Sequence, residues 1–133
     1  MAAFVTDTHP LIWYASGKHA RLSPRVVRIF DAAFADRALI MIPSPVLWEI
    51  SLLLEHGRIK LREPFEQWAS ALIAQKGVDL VEFGLDVIVQ LHHLRFHGDP
   101  FDRAIVATAK LMDLPLITKD EMIVNAKLVD IAW

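Results

Sequence analysis

The sequence predicts an α/β protein, a single three-layer domain in which a mainly parallel central sheet is flanked by helices. Short apolar runs rich in β-branched residues alternate along the chain with amphipathic segments of helical periodicity. The segments between the runs have the length of the crossovers that join parallel strands. No repeat, low-complexity tract or linker interrupts the 133 residues, so we predict one domain over residues 1–133.

The first half of the chain predicts two buried strands and three helices. Ser23-Pro24 has the pattern of a capping residue followed by a proline at the first helical position, and Gly57 is typical of a helix end. The predicted elements are a strand at 4–6, a helix at 8–14, a helix at 24–36, a strand at 39–42 and a helix at 46–56.

The second half predicts three strands and three helices. Its strongest signal is Gly98-Asp99-Pro100, a capping aspartate and a proline before a segment with apolar residues at helical spacing. The predicted elements are a helix at 64–75, a strand at 78–82, a helix at 85–94, a helix that begins at 100, a strand at 114–118 and a short strand at 128–133.

Composition limits the classes of function. Hydrophobic residues make up 54% of the chain and charged residues 23%, so we expect apolar surface that a second copy or a protein ligand covers. The formal net charge is −2, which leaves nucleic-acid binding to local groups of Lys and Arg such as 18, 21 and 25 or 58, 60 and 62.

The cysteine count and the apolar runs bear on the compartment. The chain has no cysteine, which excludes a disulfide scaffold and a thiolate metal site and is compatible with a reducing cytoplasm. The first residues lack the basic region of a signal peptide, and no apolar run approaches the roughly 20 residues of a membrane span. We therefore expect a cytoplasmic protein that does not bind membranes.

Four acids are predicted to meet at one edge of the sheet. Asp7 follows the first strand and Asp120 follows the fourth, and the carboxyl ends of parallel strands share an edge. Glu49 and Asp102 lie near helix starts that face the same crevice. Four adjacent carboxylates repel one another unless a cation neutralises them, and their oxygen atoms suit Mg²⁺ or Mn²⁺. Such an ion would support hydrolysis of a phosphodiester bond.

Each acid also has an ordinary structural interpretation. Asp7, Asp99 and Asp120 could cap helices, since each precedes a helical segment or a turn. Glu49 could pair with an arginine, and Asp102 could interact favourably with the helix dipole. Spacing alone leaves the structural and the metal-binding interpretations open.

Several motifs carry a resemblance to a known family. They are 5–9 (Val-Thr-Asp-Thr-His), 47–50 (Leu-Trp-Glu-Ile), 97–103 (His-Gly-Asp-Pro-Phe-Asp-Arg), 107–109 (Ala-Thr-Ala) and 116–120 (Leu-Ile-Thr-Lys-Asp). In this order, over nearly the whole chain, they resemble PIN-domain proteins. Within that family the chain is similar to the VapC toxins of bacterial type II toxin–antitoxin pairs.

The resemblance implies a function and a set of site residues. It implies a ribonuclease that depends on Mg²⁺ or Mn²⁺, is silenced by a cognate antitoxin and forms a homodimer. The acidic metal site would consist of Asp7, Glu49, Asp102 and Asp120, with Asp99 and Thr118 as accessory residues. Lys119 departs from the family pattern, in which Ala or Arg is frequent. The candidate dimer contacts are the helical segments 23–34 and 46–54.

Three other functions are weighed against the nuclease. A receiver-type signalling domain needs adjacent acids after the first strand and a phospho-acceptor after the third, but this chain offers only Asp7. A phosphatase of the haloacid-dehalogenase type needs Asp-x-Asp, and His9 occupies the second position. A PIN-like module that binds RNA or a partner without catalysis stays open. The four tryptophans (13, 48, 68 and 133) are interpreted as core or interface residues.

Overall fold

Five strands form one sheet in the computed structural model, which describes residues 1–133. The strands are β1 (Ala3–Thr6), β2 (Leu39–Pro43), β3 (Val78–Val81), β4 (Leu116–Ile117) and β5 (Ile131–Ala132). Their order in the sheet is β3-β2-β1-β4-β5, and every neighbouring pair is parallel. The predicted α/β class with a central parallel sheet is therefore confirmed.

Seven α-helices connect and flank the strands. They are α1 (Thr8–Ala15), α2 (Pro24–Phe34), α3 (Ser44–Glu55), α4 (Phe65–Ile73), α5 (Leu85–His92), α6 (Pro100–Met112) and α7 (Glu121–Ala126), with a 3₁₀ turn at His19–Arg21. Two predicted caps are formed: the side chains of Ser23 and Asp99 accept hydrogen bonds from backbone N–H groups of α2 and α6. None of the helices is long and apolar enough to cross a bilayer.

The core lies between the sheet and its helices. The inner strands supply fully buried Val5, Ile40 and Ile42, and α6 contributes an unbroken buried run at 104–109. This run packs α6 against β1 and β2. Because three residues of the run are alanines, the helix axis can approach the sheet closely, which fixes the position of the acidic N-terminal end of α6.

The order of strands changes direction next to β1. From β1 the chain adds β2 and β3 on one side, and then crosses over to add β4 and β5 on the other. Right-handed crossovers in these two directions place helices on both faces of the sheet. The change leaves a crevice beyond the carboxyl ends of β1 and β4, which is the usual ligand position in open α/β sheets.

Some predicted boundaries differ from the structure. Helix α2 ends at Phe34 rather than at 36, because Asp36 has a left-handed backbone with φ of 60°. Strand β4 is only two residues long, since Asp113 adopts φ of 53° at the end of α6 and Pro115 has no N–H to donate. Helix α3 begins at Ser44, two residues earlier than predicted, and the six-residue α7 was not predicted at all.

Candidate active site

Asp7 links β1 to α1 and is held at both carboxylate oxygens. Its Oδ1 accepts a hydrogen bond of 2.8 Å from the backbone N–H of Thr8, and its Oδ2 accepts one of 2.7 Å from the Thr118 hydroxyl. The side chain is only 7% exposed. Asp7 is thus both a helix cap and a strand-end carboxylate, so the two interpretations of its sequence position are compatible.

Thr118 joins the ends of β1 and β4. Besides donating to Asp7, its buried hydroxyl oxygen accepts a 3.1 Å hydrogen bond from the backbone N–H of Asp120. The Asp120 carboxylate in turn accepts a 3.1 Å hydrogen bond from the N–H of Ile123 and caps α7. The predicted meeting of the Asp7 and Asp120 strand ends is therefore present, with Thr118 between them.

Glu49 lies half-buried on α3 and faces α1. The Thr8 hydroxyl donates a hydrogen bond to its Oε1, and this threonine takes the place of the arginine that the sequence suggested as a partner. Burial raises the pKa of the Glu49 carboxyl, and the bond from Thr8 opposes this rise. The negative charges of Asp99 and Asp7 raise the pKa further, so Glu49 is electrostatically part of the same group of acids.

Asp99 and Asp102 have different roles at the start of α6. Asp99 is exposed, and its Oδ1 accepts a 2.8 Å hydrogen bond from the backbone N–H of Asp102, as a helix cap does. The Asp102 side chain is half-buried. Burial, and after it the charges of four carboxylates, raise its pKa to about 7; the four are Asp7, Asp99, Asp120 and Glu49. Asp102 is therefore the acid on which the charges of the others converge.

The donor set is suited to a hard cation. Burial raises the pKa of Asp7 as well, against the hydrogen bonds from Thr118 and Thr8, and Asp120 contributes to the increase. The side chains that meet here offer carboxylate and hydroxyl oxygens, which are the ligands that Mg²⁺ and Mn²⁺ prefer. No group of three or more histidine, aspartate or glutamate side chains is already arranged to hold an ion, so binding would require these side chains to move together.

A crevice of about 250 Å³ lies over the ends of β1 and β4. Its lining residues are Asp7, His9, Pro10, Trp13, Thr118, Lys119 and Asp120. Glu49 and Asp102 do not line the crevice, but the charge of Asp7, which does, raises the pKa values of both. Sequence reasoning assigned no role here to Thr8, Trp13 or Lys119. A signal for one of them exists, since His9 and Trp13 are four residues apart on α1 and their rings lie 5.8 Å apart.

Arg103 connects the beginning of α6 to the end of α5. Its guanidinium donates to the carbonyl of Phe96 and, at 3.3 Å, to that of Leu91. The loop between the two helices is tight at Gly98, where an added Cβ would lie 2.5 Å from the Phe96 ring. These contacts fix the path of the chain into Asp99 and explain why an arginine and a glycine stand at these positions.

An apolar groove of about 720 Å³ runs between α3, α5 and α6. Trp48 of α3 and Phe101 of α6 meet edge to face across it, with ring centroids 5.1 Å apart. Trp48 is 63% exposed, and Phe83 at the other side of the groove is also exposed. Part of the apolar surface that the composition predicted thus lies beside the acidic site.

The chain matches one protein family by sequence and several solved structures by fold. The family model for the PIN domain matches residues 4–128. A structure of VapBC2 from Rickettsia felis bound to a promoter DNA fragment is similar with a TM-score of 0.70 and 14% identity, covering 98% of this chain and 97% of that one. DNA-bound VapBC from Salmonella typhimurium is similar with a TM-score of 0.69 and 17% identity, covering 99% and 98%.

A third solved structure has a more distant likeness. FitAcB from Neisseria gonorrhoeae is similar with a TM-score of 0.59 and 18% identity, covering 96% of this chain and 95% of that one. No curated protein sequence matches the chain. At these identities the structural likeness supports the fold, whereas the family match rests on the sequence itself.

Proposed function

Because the chain belongs to the PIN domain family, we propose that it is a ribonuclease that depends on Mg²⁺ or Mn²⁺ and acts as the toxin of a type II toxin–antitoxin pair. One observation carries the proposal: Asp99 and three acids distant in sequence raise the pKa of Asp102 at the switch point of the sheet. Structural acids are ordinarily paired with cations, whereas Asp7 and Glu49 accept hydrogen bonds from threonine groups, and His9 is the one cationic group whose charge lowers their pKa values.

Asp7, Glu49, Asp102 and Asp120 would hold the divalent ion, with Asp99 and Thr118 as accessory residues. When bound, such an ion activates a water molecule and neutralises charge that develops on the phosphate. The carboxylates fit that task because burial, and after it the negative charge of neighbouring acids, raises the pKa values of Asp7, Glu49 and Asp102, and a bound cation would favour their charged forms.

The surrounding residues orient these carboxylates. Thr118 and the N–H of Thr8 fix the two oxygens of Asp7, and the Thr8 hydroxyl fixes Glu49. Hydrogen bonds of this kind hold metal ligands in place and reduce the reorganisation that binding requires. Thr8 thus binds both Asp7, at the start of α1, and Glu49 of α3, which couples the positions of these two helices.

Partners follow from the same proposal. Two of the similar solved structures are of VapBC bound to DNA. We propose that this chain has a cognate antitoxin, whose C-terminal segment would cover the crevice. We further propose a homodimer in a cytoplasmic setting. The exposed Trp48 on α3 supports the dimer, because α3 is one of the two helices predicted as contacts and borders the apolar groove.

RNA cleavage tests the enzymatic proposal. Purified protein is incubated with a mixture of cellular RNA in Mg²⁺ or Mn²⁺, with EDTA as the chelator control. We expect cleavage only with the ion, and we expect Asp7→Asn to abolish it while the melting temperature is retained. Asp79→Asn, an exposed acid on β3, is the matched control and should cleave normally.

Two results would contradict the nuclease. Full activity in excess EDTA would show that no divalent ion is needed, and unchanged rates in Asp7→Asn would remove this residue from the site. RNA binding without any cleavage by the unchanged protein would instead support the rival function, a PIN-like binding module.

A further inference from the structure

Two cationic side chains meet on one indole ring at the rim of the acidic crevice. The Nζ atom of Lys119 lies 4.9 Å from the centroid of the Trp13 ring and 5.6 Å from that of Trp133. The guanidinium carbon of Arg21 lies 5.8 Å from the Trp13 centroid. These contacts bring together residues from α1, the 3₁₀ turn and the segment after β4.

The position of this group is what makes it functionally relevant. Trp13 and Lys119 line the same crevice as Asp7 and Asp120, and Lys119 directly precedes Asp120 in the chain. The group is therefore placed at the candidate site by the same strand end that places one of the acids. We name Lys119, Arg21 and Trp13 the rim cluster.

Charge explains why a substrate would need such a cluster. RNA is a polyanion, the chain has a formal net charge of −2, and the candidate site itself is a group of carboxylates. A strand that approaches this site is repelled unless local cations attract its phosphates. Lys119 lines the crevice, and Arg21 lies over the ring of Trp13, which also lines it.

The Trp13 ring holds the charged groups of Lys119 and Arg21 in position. Cation–π contacts act on the charge of Lys and Arg but leave their N–H donors available for phosphate oxygens. A lysine stem is ordinarily flexible, and contacts with two rings restrict the positions that the ammonium group samples. Because the cations already lie over the Trp13 ring, a charge contact with phosphate is favoured here over stacking of a base.

We propose that the rim cluster binds the backbone of a single RNA strand, with Lys119 and Arg21 contacting phosphates next to the bond that is cleaved. Trp13 acts as a positioning residue, and Trp133 supports Lys119. The inference rests on the proposed function in that it takes RNA as the substrate. The inference adds the residues that contact the phosphates of the strand directly. The acids cannot make such contacts, because their negative charges repel phosphate.

The test is the salt dependence of RNA binding. A labelled single-stranded RNA is titrated with the full chain in EDTA at several salt concentrations, so that binding is measured without cleavage. Each lost phosphate contact should reduce the slope of log K against log salt by about 0.7 for a single strand. We expect this reduction for Lys119→Gln and for Arg21→Gln, whose side chains are exposed and whose replacement leaves the core intact.

Matched variants separate charge from positioning. Lys110→Gln removes an exposed lysine at the far end of α6 and should leave the slope unchanged. Trp13→Leu keeps both charges and should weaken binding several-fold, whereas Trp13→Phe keeps an aromatic ring and should restore most of the affinity. Thermal melts of all variants confirm that each one is folded.

The results distinguish this inference from the proposed function. If the protein cleaves RNA but Lys119→Gln and Arg21→Gln leave the salt slope and the KM unchanged, the rim cluster is wrong and the nuclease stands. If binding depends on the rim cluster but no condition gives cleavage, the nuclease is wrong and the rim cluster stands only as a site that binds RNA. Absence of RNA binding at every salt concentration would overturn the rim cluster.

Discussion

Asp102 is the residue of the candidate site whose pKa is raised by the largest number of neighbouring acids. Its pKa is raised to about 7 by burial and by four neighbouring carboxylates. In the unfolded chain the same group titrates near its ordinary value of 3.8. Between these two pH values the folded protein binds a proton that the unfolded chain has lost.

This difference predicts how stability depends on pH. In EDTA, the free energy of unfolding should fall as the pH rises from about 4 to about 7, because the folded state binds more protons in that range. Asp102→Asn should flatten part of this fall, with the raised pKa values of Asp7 and Glu49 retaining the rest. Denaturant unfolding across this range measures the effect, and an identical pH dependence in the variant would contradict it.

The sequence indicated the acids of the candidate site, and the resemblance indicated Thr118 as an accessory residue, but neither indicated which hydrogen bonds orient the acids. Asp7 and Asp120 were predictable because strand ends are readable from local apolar patterns. The bonds from Thr8 to Glu49 and from Thr118 to Asp7 join residues 41 and 111 positions apart. No local pattern encodes such pairs, and the same is true of the contact between Lys119 and Trp13.

At the scale of elements, the junction of α5 and α6 determines where the acids of α6 lie. Arg103 bridges it by donating to two backbone carbonyls, which a lysine cannot do in the same geometry. We expect Arg103→Lys to lower the free energy of unfolding by about 1–3 kcal/mol. Chemical denaturation measures this loss, with the exposed Arg95→Lys as control. Equal stability of the two variants would show that the bridge contributes little.

Local signals predicted some elements well and others not at all. Helices α2 and α6 carry their own caps, Ser23 and Asp99, each followed by proline, so their starts were readable. Helix α7 was not predicted; it has six residues and follows its cap Asp120, whose backbone N–H is bound by Thr118. Strand β4 was predicted at 114–118, but the structure limits it to the two residues that pair with β1 and β5. Elements this short depend on tertiary contacts rather than on their own pattern.

At the scale of the whole molecule, the strand order creates the crevice. The apolar groove between α3, α5 and α6 predicts an interface between two copies of the chain. We expect sedimentation to show a dimer at roughly tens of micromolar protein, as a standard-sized interface supports. Trp48→Glu would place a charge in the groove and should yield a folded monomer. A monomer in the unchanged protein, or an undisturbed dimer in the variant, would contradict this interface.

The central claim is that Asp102, with the other acids, holds a divalent ion, and direct Mn²⁺ binding by calorimetry tests it. We predict that the unchanged protein binds Mn²⁺ and that Asp99→Asn retains most of the affinity, since asparagine caps a helix about as well as aspartate. Asp102→Asn should weaken binding at least about tenfold, because it removes a ligand from the centre of the acidic group. If Asp99→Asn loses the ion and Asp102→Asn retains it, or if the unchanged protein binds no Mn²⁺, the account of the site is wrong.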